Sequence, residues 1–427
     1  MMDLIKFYSK LIKKNLYNDS PNNAYKLIRL GAYLQYIRWS KFPYDSIPKS
    51  LQYLNKTMFK YIYEPLKYPE QSAYVNLFAP TEILHVFDIF PMFVEAIATF
   101  FSGLYCEDVF INAAENIGIS ETLCSYHKSF IGAVEESVLP KMKFSITSSM
   151  ICDANINTFK YISNKLDIPH YVIDVPYEYS LEAEEYVKNQ LIEVIDMIQD
   201  ITGKKFDINK LKEILARENK TKMYMKSFLK SSATKYFPNH ITLEMSKLIL
   251  THAGMGRKET YEFYKMIAEE IKTYPNKSGN SVFGIHVIPF YDENLRNYFN
   301  YNKDYQFIGI DLNYDNLEEL DIDRPFNSLA KKMLTNIYNG DFQRKIDAIN
   351  NIIDISKPNG IINFCQWGCK QSSGGSNLLK ESLKSKNIPY LSIDIDGVDR
   401  RNSSSGQLKT RLEAFFEILN SPNHGGV

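Results

Sequence analysis

The chain has 427 residues, more than one ordinary core organises, so two or three domains are expected. Its 50 lysines and arginines balance 50 aspartates and glutamates, and this formal charge of zero argues against a dedicated nucleic-acid or anionic-membrane surface. Five cysteines at irregular intervals do not make a secreted disulfide framework, and the start Met1-Met2-Asp3-Leu4-Ile5-Lys6 lacks a signal-peptide apolar core, so a reducing cytoplasm is expected.

Up to about residue 70, lysine, tyrosine and leucine recur at helical spacing, with Pro43, Pro48, Pro65 and Pro69 as breaks, which predicts a helical N-terminal arm over 1–70. The most apolar stretch, residues 78–105, is interrupted by Glu82, Asp88, Pro91 and Glu95. A spanning helix there would bury charges at ~2.5–3.5 kcal/mol each, so no membrane segment is predicted. Set among Ile83, Leu84, Phe87, Phe90, Phe93 and Val94, these carboxyls have surroundings that raise a pKa and suit acid/base work, Glu95 above all. For Glu82, a salt bridge or a helix N-terminal charge is the other reading.

Residues 144–150 and 171–175 read as short buried strands joined by a helix over 155–166, a crossover that implies parallel pairing and a first α/β domain over 71–180. From 181 to 273 the pattern is helical, with charged residues opposite Leu191, Val194, Ile195 and Ile198, and predicts a bridge between lobes. After the linker Tyr274-Pro275-Asn276-Lys277-Ser278-Gly279-Asn280, apolar runs at 282–288, 307–312, 360–364 and 390–395 alternate with helices at 327–338, 342–355 and 378–385. The predicted class is α/β: two doubly wound, Rossmann- or flavodoxin-like parallel-sheet domains, the second over 274–427, with a helical N-terminal arm and a helical bridge. Ligands of such domains sit beyond the carboxyl ends of the strands.

Cysteines fall at those ends. Cys152 directly follows the strand at 144–150, Cys369 follows the strand ending near 364, and Cys124 stands in Leu123-Cys124-Ser125-Tyr126. Thiolates converging from separate lobes suit an iron–sulfur cluster with one iron lacking a protein ligand; inert buried thiols are the alternative, since no compact ferredoxin run is present. Cys365 makes a C-x3-C pair with Cys369, and Cys106 reads as structural. The histidines at 85, 127, 170, 240, 252, 286 and 424 show no metal-binding spacing and read as satisfied polar groups, with a hydrogen bond of His127 near a cluster as the weaker alternative. Ser372-Ser373-Gly374-Gly375-Ser376-Asn377 offers backbone amides to an anion, or a plain loop with a helix cap. Asp394, Asp396, Asp399, Arg400 and Arg401 read as an internally paired turn, with a divalent-ion site as the alternative, and Lys204, Lys205, Lys210, Lys212, Arg257 and Lys258 as a solvated face, with phosphate binding as the alternative. Neither a G-x-x-x-x-G-K-[ST] loop nor a G-x-G-x-x-G after a strand is present, so nucleotide chemistry belongs elsewhere.

A series of short motifs runs from about 79 to 419: Pro80-Thr81-Glu82-Ile83-Leu84-His85-Val86-Phe87-Asp88, Leu123-Cys124-Ser125-Tyr126, Ile151-Cys152-Asp153, Ile168-Pro169-His170-Tyr171-Val172-Ile173-Asp174, Gly256-Arg257-Lys258-Glu259-Thr260, Trp367-Gly368-Cys369-Lys370-Gln371, Ile388-Pro389-Tyr390-Leu391-Ser392-Ile393-Asp394 and Gly406-Gln407-Leu408-Lys409-Thr410-Arg411. In this order and spacing the chain resembles the 2-hydroxyacyl-CoA dehydratase subunit family, related to benzoyl-CoA reductase subunits. The resemblance implies that Cys124, Cys152 and Cys369 bind a [4Fe–4S] cluster whose open iron takes a thioester carbonyl and passes one electron to give a ketyl radical, and that Glu95 lies near the substrate. It implies as partners an acyl-CoA thioester, a paired homologous subunit and an ATP-dependent iron–sulfur activator protein, with an electron-relay subunit, an acyl-CoA reductase or a double-cubane reductase as the other readings. Where the dehydratase subunit has a serine near its substrate, this chain has Leu77.

Overall fold

The computed structural model describes residues 2–421; His424 lies outside them. Eight strands form two parallel four-stranded sheets. The first comprises β1 (Ser72–Val75), β2 (Phe90–Phe93), β3 (Phe144–Ser148) and β4 (His170–Ile173) in the order β2-β1-β3-β4. The second comprises β5 (Asn280–Ile285), β6 (Tyr305–Ile310), β7 (Gly360–Gln366) and β8 (Tyr390–Ile395) in the order β6-β5-β7-β8. The central strands β3 and β7 are buried along their length, polar residues included, because helices cover both faces, as parallel sheets require. In each sheet the strand order reverses beside the first strand, between β1 and β3 and between β5 and β7, and such a switch point opens a crevice at the carboxyl ends.

The two doubly wound units expected from the sequence are present. Strands β3 to β8 fall within two residues of the apolar runs that predicted their starts. β1 and β2 complete the first sheet and were not anticipated; their register pairs Ala73 with both Pro91 and Phe144.

The N-terminal helices Met2–Tyr17, Pro21–Lys41 and Lys49–Lys67 pack in sequence on one another, the last also against β2 and the helix Lys258–Thr273. Within 181–273, the helix Ile208–Ser232 touches Thr81–Val86 of the first unit and Phe342–Ser356 of the second, and so braces the crevice. The helix Ile241–Leu248 widens into a π-helical turn, Ile249–Ala253, where it lines that crevice, a common place for such a turn. Among the described residues no helix is long and apolar enough to cross a membrane.

Candidate active site

Cys124, Cys152 and Cys369 each occupy the N-cap of a helix: Ser125–Glu135, Asp153–Leu166 and the short Lys370–Ser373. Serine, threonine, aspartate and asparagine are the residues that favour this position, so three cysteine caps are a local departure with a shared cause. A helix N-terminus carries partial positive charge, and it favours thiolate over thiol. All three cysteines, with Glu95, line one open cavity of about 820 Å³ at the carboxyl ends of β3, β5 and β7.

The approach between the lobes depends on Gly368. Its φ of +74° is left-handed, and a Cβ there would stand 2.6 Å from the Thr122 carbonyl oxygen and 2.7 Å from the Cys124 nitrogen. Only glycine lets the Cys369 loop lie against Cys124 in this way. Ser125 then donates to the buried Asp396 carboxylate and receives from Gln366 Nε2 at 3.3 Å, so the Cys124 helix is fastened to the second unit.

Electrostatics bind the cysteines into one group. Burial raises the Cys124 thiol well above the ordinary range, and the charges of Cys369 and Cys152 raise it further. Cys152 is pushed up to about 11 by burial and by Cys369, against the amides of Ala154 and Asn155. Burial also pushes Cys369 up, but His286 and the Ser372 amide and hydroxyl outweigh it and leave the thiol at about 6. His286 Nε2 lies 3.6 Å from the Cys369 sulfur and His127 Nε2 lies 3.7 Å from that of Cys152, while the Nδ1 of each ring is buried without a partner. His127 is held down to about 4 by burial. Two non-glycine residues with left-handed backbone, Ile151 (φ 65°) and His286 (φ 69°), line the same cavity, and such strain persists only where its surroundings impose it.

Glu95, the second residue of the helix Val94–Gly103, reaches this cavity beside Leu77, Phe93 and Ala96. Its Oε2 is buried without a partner, and the Leu77 amide is 3.4 Å from Oε1. Burial raises its carboxyl to about 7, against its own amide, that of Leu77 and His252.

The remaining candidates lie elsewhere. Cys106 is buried in the core and directs its sulfur at the Phe101 carbonyl, 3.5 Å away. Cys365 points toward Ser392 and the Ser372 carbonyl. Glu82 is bound in an ion pair to Lys332, Arg401 pairs with Asp399, and Lys210 pairs with Asp88. His286 was not singled out from the sequence; its position just past the end of β5 is the signal that marks it.

The donor set fits a cubane. Among the described residues no three histidine, cysteine, aspartate or glutamate side chains converge as one metal ion requires. A cubane asks for a different arrangement, because each thiolate binds a different iron. Three sulfurs close enough to raise one another's pKa, three helix N-termini and an open cavity beside them fit that arrangement.

A two-unit α/β subunit with its site between the carboxyl ends of two sheets defines the class, and comparison with known proteins specifies it. The family model described as 2-hydroxyglutaryl-CoA dehydratase, D-component, matches residues 76–419, and the chain belongs to that family. The chain is 25% identical over 334 residues to the (R)-phenyllactyl-CoA dehydratase alpha subunit of Clostridium sporogenes, covering 72% of this chain and 79% of that protein. The lactoyl-CoA dehydratase subunit alpha of Anaerotignum propionicum is 24% identical, with 72% and 81% covered. A benzoyl-CoA reductase subunit of Thauera aromatica is 22% identical, with 73% and 80% covered.

Proposed function

We propose that this chain is the cluster-bearing subunit of a 2-hydroxyacyl-CoA dehydratase-type enzyme in the cytoplasm, working with a homologous subunit and an ATP-dependent activator that delivers electrons. Cys124, Cys152 and Cys369 would hold a [4Fe–4S] cluster. When bound, such a cluster supplies single electrons of low potential to a thioester carbonyl, the step without which an α-hydroxyl is a poor leaving group. The observation that carries this reading is the set of three cysteine N-caps around one cavity.

The chain's own residues supply position, dryness and protons. Leu77, Phe93, Leu248, Ile249, Val287 and Leu312 make most of the wall apolar, which keeps water from a reactive intermediate. Glu95 Oε2, unpartnered and carried on a carboxyl poised near neutrality, takes a proton from the substrate or returns one to the departing hydroxyl. His127 and His286 keep the Cys152 and Cys369 sulfurs aimed into the cavity. Leu77 supports a second reading, in which the cluster relays electrons to the paired subunit, because no hydroxyl stands at that point of the wall.

Anaerobic purification with iron and sulfide analysis tests the assignment. Cys369→Ser is expected to lower bound iron and Cys106→Ser to leave it at the wild-type level; equal iron in both would count against the ligand set. Addition of a 2-hydroxyacyl-CoA is expected to change the electron paramagnetic resonance of the reduced protein. A spectrum that responds only to the paired subunit would favour the relay.

A further inference from the structure

A second cavity, of about 580 Å³, adjoins the one lined by cysteines. Leu77 and Phe78 wall both, and the segments 150–152 and 248–252 contribute residues to each. Part of its wall is apolar and adaptable, with Met150, Met225, Met255 and Met333. The other part is charged: Glu82, Glu218, Asp315 and Lys332.

That charged part is incomplete. Glu218 is fully buried, and its Oε1 takes Lys332 at 2.8 Å and Lys222 at 3.0 Å. Oε2 receives no N–H and no hydroxyl from the described residues. Glu82 shares Lys332 at 2.5 Å, and its carboxyl, raised by burial, stands in hydrogen-bond contact with that of Glu218. Asp315 is occupied, with Asn336 Nδ2 at 2.7 Å and His252 Nε2 at 3.5 Å. Two buried carboxyls thus share two lysines, and a buried acceptor that gains no N–H or hydroxyl is costly unless a ligand completes it.

We infer that this second cavity receives the end of the acyl chain remote from the thioester, and that Glu218 Oε2 accepts a hydrogen bond from a hydroxyl or ammonium group carried there. The inference rests on the acyl-CoA reading above. A terminal carboxylate is disfavoured by like charge with Glu218 and Glu82, and a plain alkyl end leaves Oε2 bare. The acyl group that fits is an unbranched or aromatic chain ending in a hydrogen-bond donor, held by methionines along its length.

Calorimetric titration of the anaerobically purified protein with four CoA thioesters of 2-hydroxyhexanoic acid, bearing methyl, hydroxyl, ammonium or carboxylate on carbon 6, tests this directly. The hydroxyl or ammonium end is expected to bind at least about tenfold more tightly than the methyl end, and the carboxylate end more weakly than any. The hydroxyl and ammonium arms distinguish a neutral from a cationic donor. In Glu218→Gln the ratio of ammonium to methyl affinity is expected to fall toward one. Equal affinities across the wild-type series, or a carboxylate preference, would overturn the inference and leave the acyl-CoA reading standing. Failure of all four thioesters to bind would overturn both. The wild-type series needs no variant, so a folding defect cannot hide the answer.

Discussion

Glu95 shows how an apolar setting acts on a single carboxyl. Burial costs the anion more than the acid, so the folded protein holds a proton to about pH 7 that the unfolded chain gives up near 4.5. Between those values the native state binds more protons, and stability must fall as pH rises. The contribution is fully present below pH 4.5 and is lost by pH 7, a change on the order of 3 kcal/mol. Glu95→Gln cannot titrate, so the difference between wild-type and variant unfolding free energies is expected to shift by that amount across the window; parallel curves would refute the raised pKa. If the same carboxyl moves the proton, turnover should drop about 100-fold or more in the variant, with loss of the limb near pH 7 in the rate profile. At this scale much of the candidate site was legible: the apolar neighbours of Glu95 are contiguous in sequence, and Cys152 and Cys369 follow apolar runs, whereas Cys124 was marked by the family resemblance alone. The partnership of His286 with Cys369 was not, because 83 residues separate them and no spacing rule joins a lone histidine to a distant thiol.

Elements carry these residues into place, and here a few contacts leave no tolerance. The helix Ser125–Glu135, which Cys124 caps, crosses Glu107–Asn116 so closely that a Cβ on Gly132 would lie 1.7 Å from the Phe110 carbonyl oxygen. Gly132→Ala must push the helices apart, at a cost of about 1–3 kcal/mol or more. Gly103, at the end of Val94–Gly103, has nothing within 4 Å of where a Cβ would stand, and Gly103→Ala should stabilise by about 0.4–1 kcal/mol. Thermal melts of the two variants are expected to move in opposite directions, and a melt of Gly132→Ala equal to wild type would contradict the close crossing. The strands divide the same way in legibility. β5, β6 and β7 are buried runs rich in isoleucine, valine and phenylalanine, β3, β4 and β8 carry shorter apolar stretches, and the sequence marks them all. β1 and β2 have four residues each; β1 opens on Ser72 and Ala73, and β2 carries Pro91, which ordinarily argues against a strand. β2 can hold its proline because it lies at the edge of its sheet.

Across the whole molecule, two sheets with the same strand order meet at their switch points, and neither unit holds the site alone. Cys124 and Cys152 come from the first unit, and Cys369 comes from the second. A strap after β8 ties the two units that carry them: Asp396 takes Ser125, Arg400 takes Glu107 and the Ser102 carbonyl, and Ser102 donates to the Val398 carbonyl. Arg400 also lies between the Tyr105 and Tyr291 rings at 4.4 and 4.5 Å, a cation held by both units. The sequence offered these residues as a self-paired turn or a divalent-ion site and not as a tie between units, because its periodicity describes each unit and is silent on how units face each other. Two buried serines separate fold from site. Ser125 ties the units, whereas Ser145 on β3 bonds Ser163 and His170, each at 2.7 Å, within one unit. Each serine-to-alanine change strands a buried partner and should cost about 1–3 kcal/mol. Only Ser125→Ala loosens Cys124 against the Cys369 loop. Iron retained after anaerobic gel filtration is therefore expected to fall in Ser125→Ala and to hold in Ser145→Ala at a similar melting temperature. Equal retention would mean that the strap stabilises the protein without aligning the cysteines, and the spacing of the thiols would then have to be set within the loops themselves.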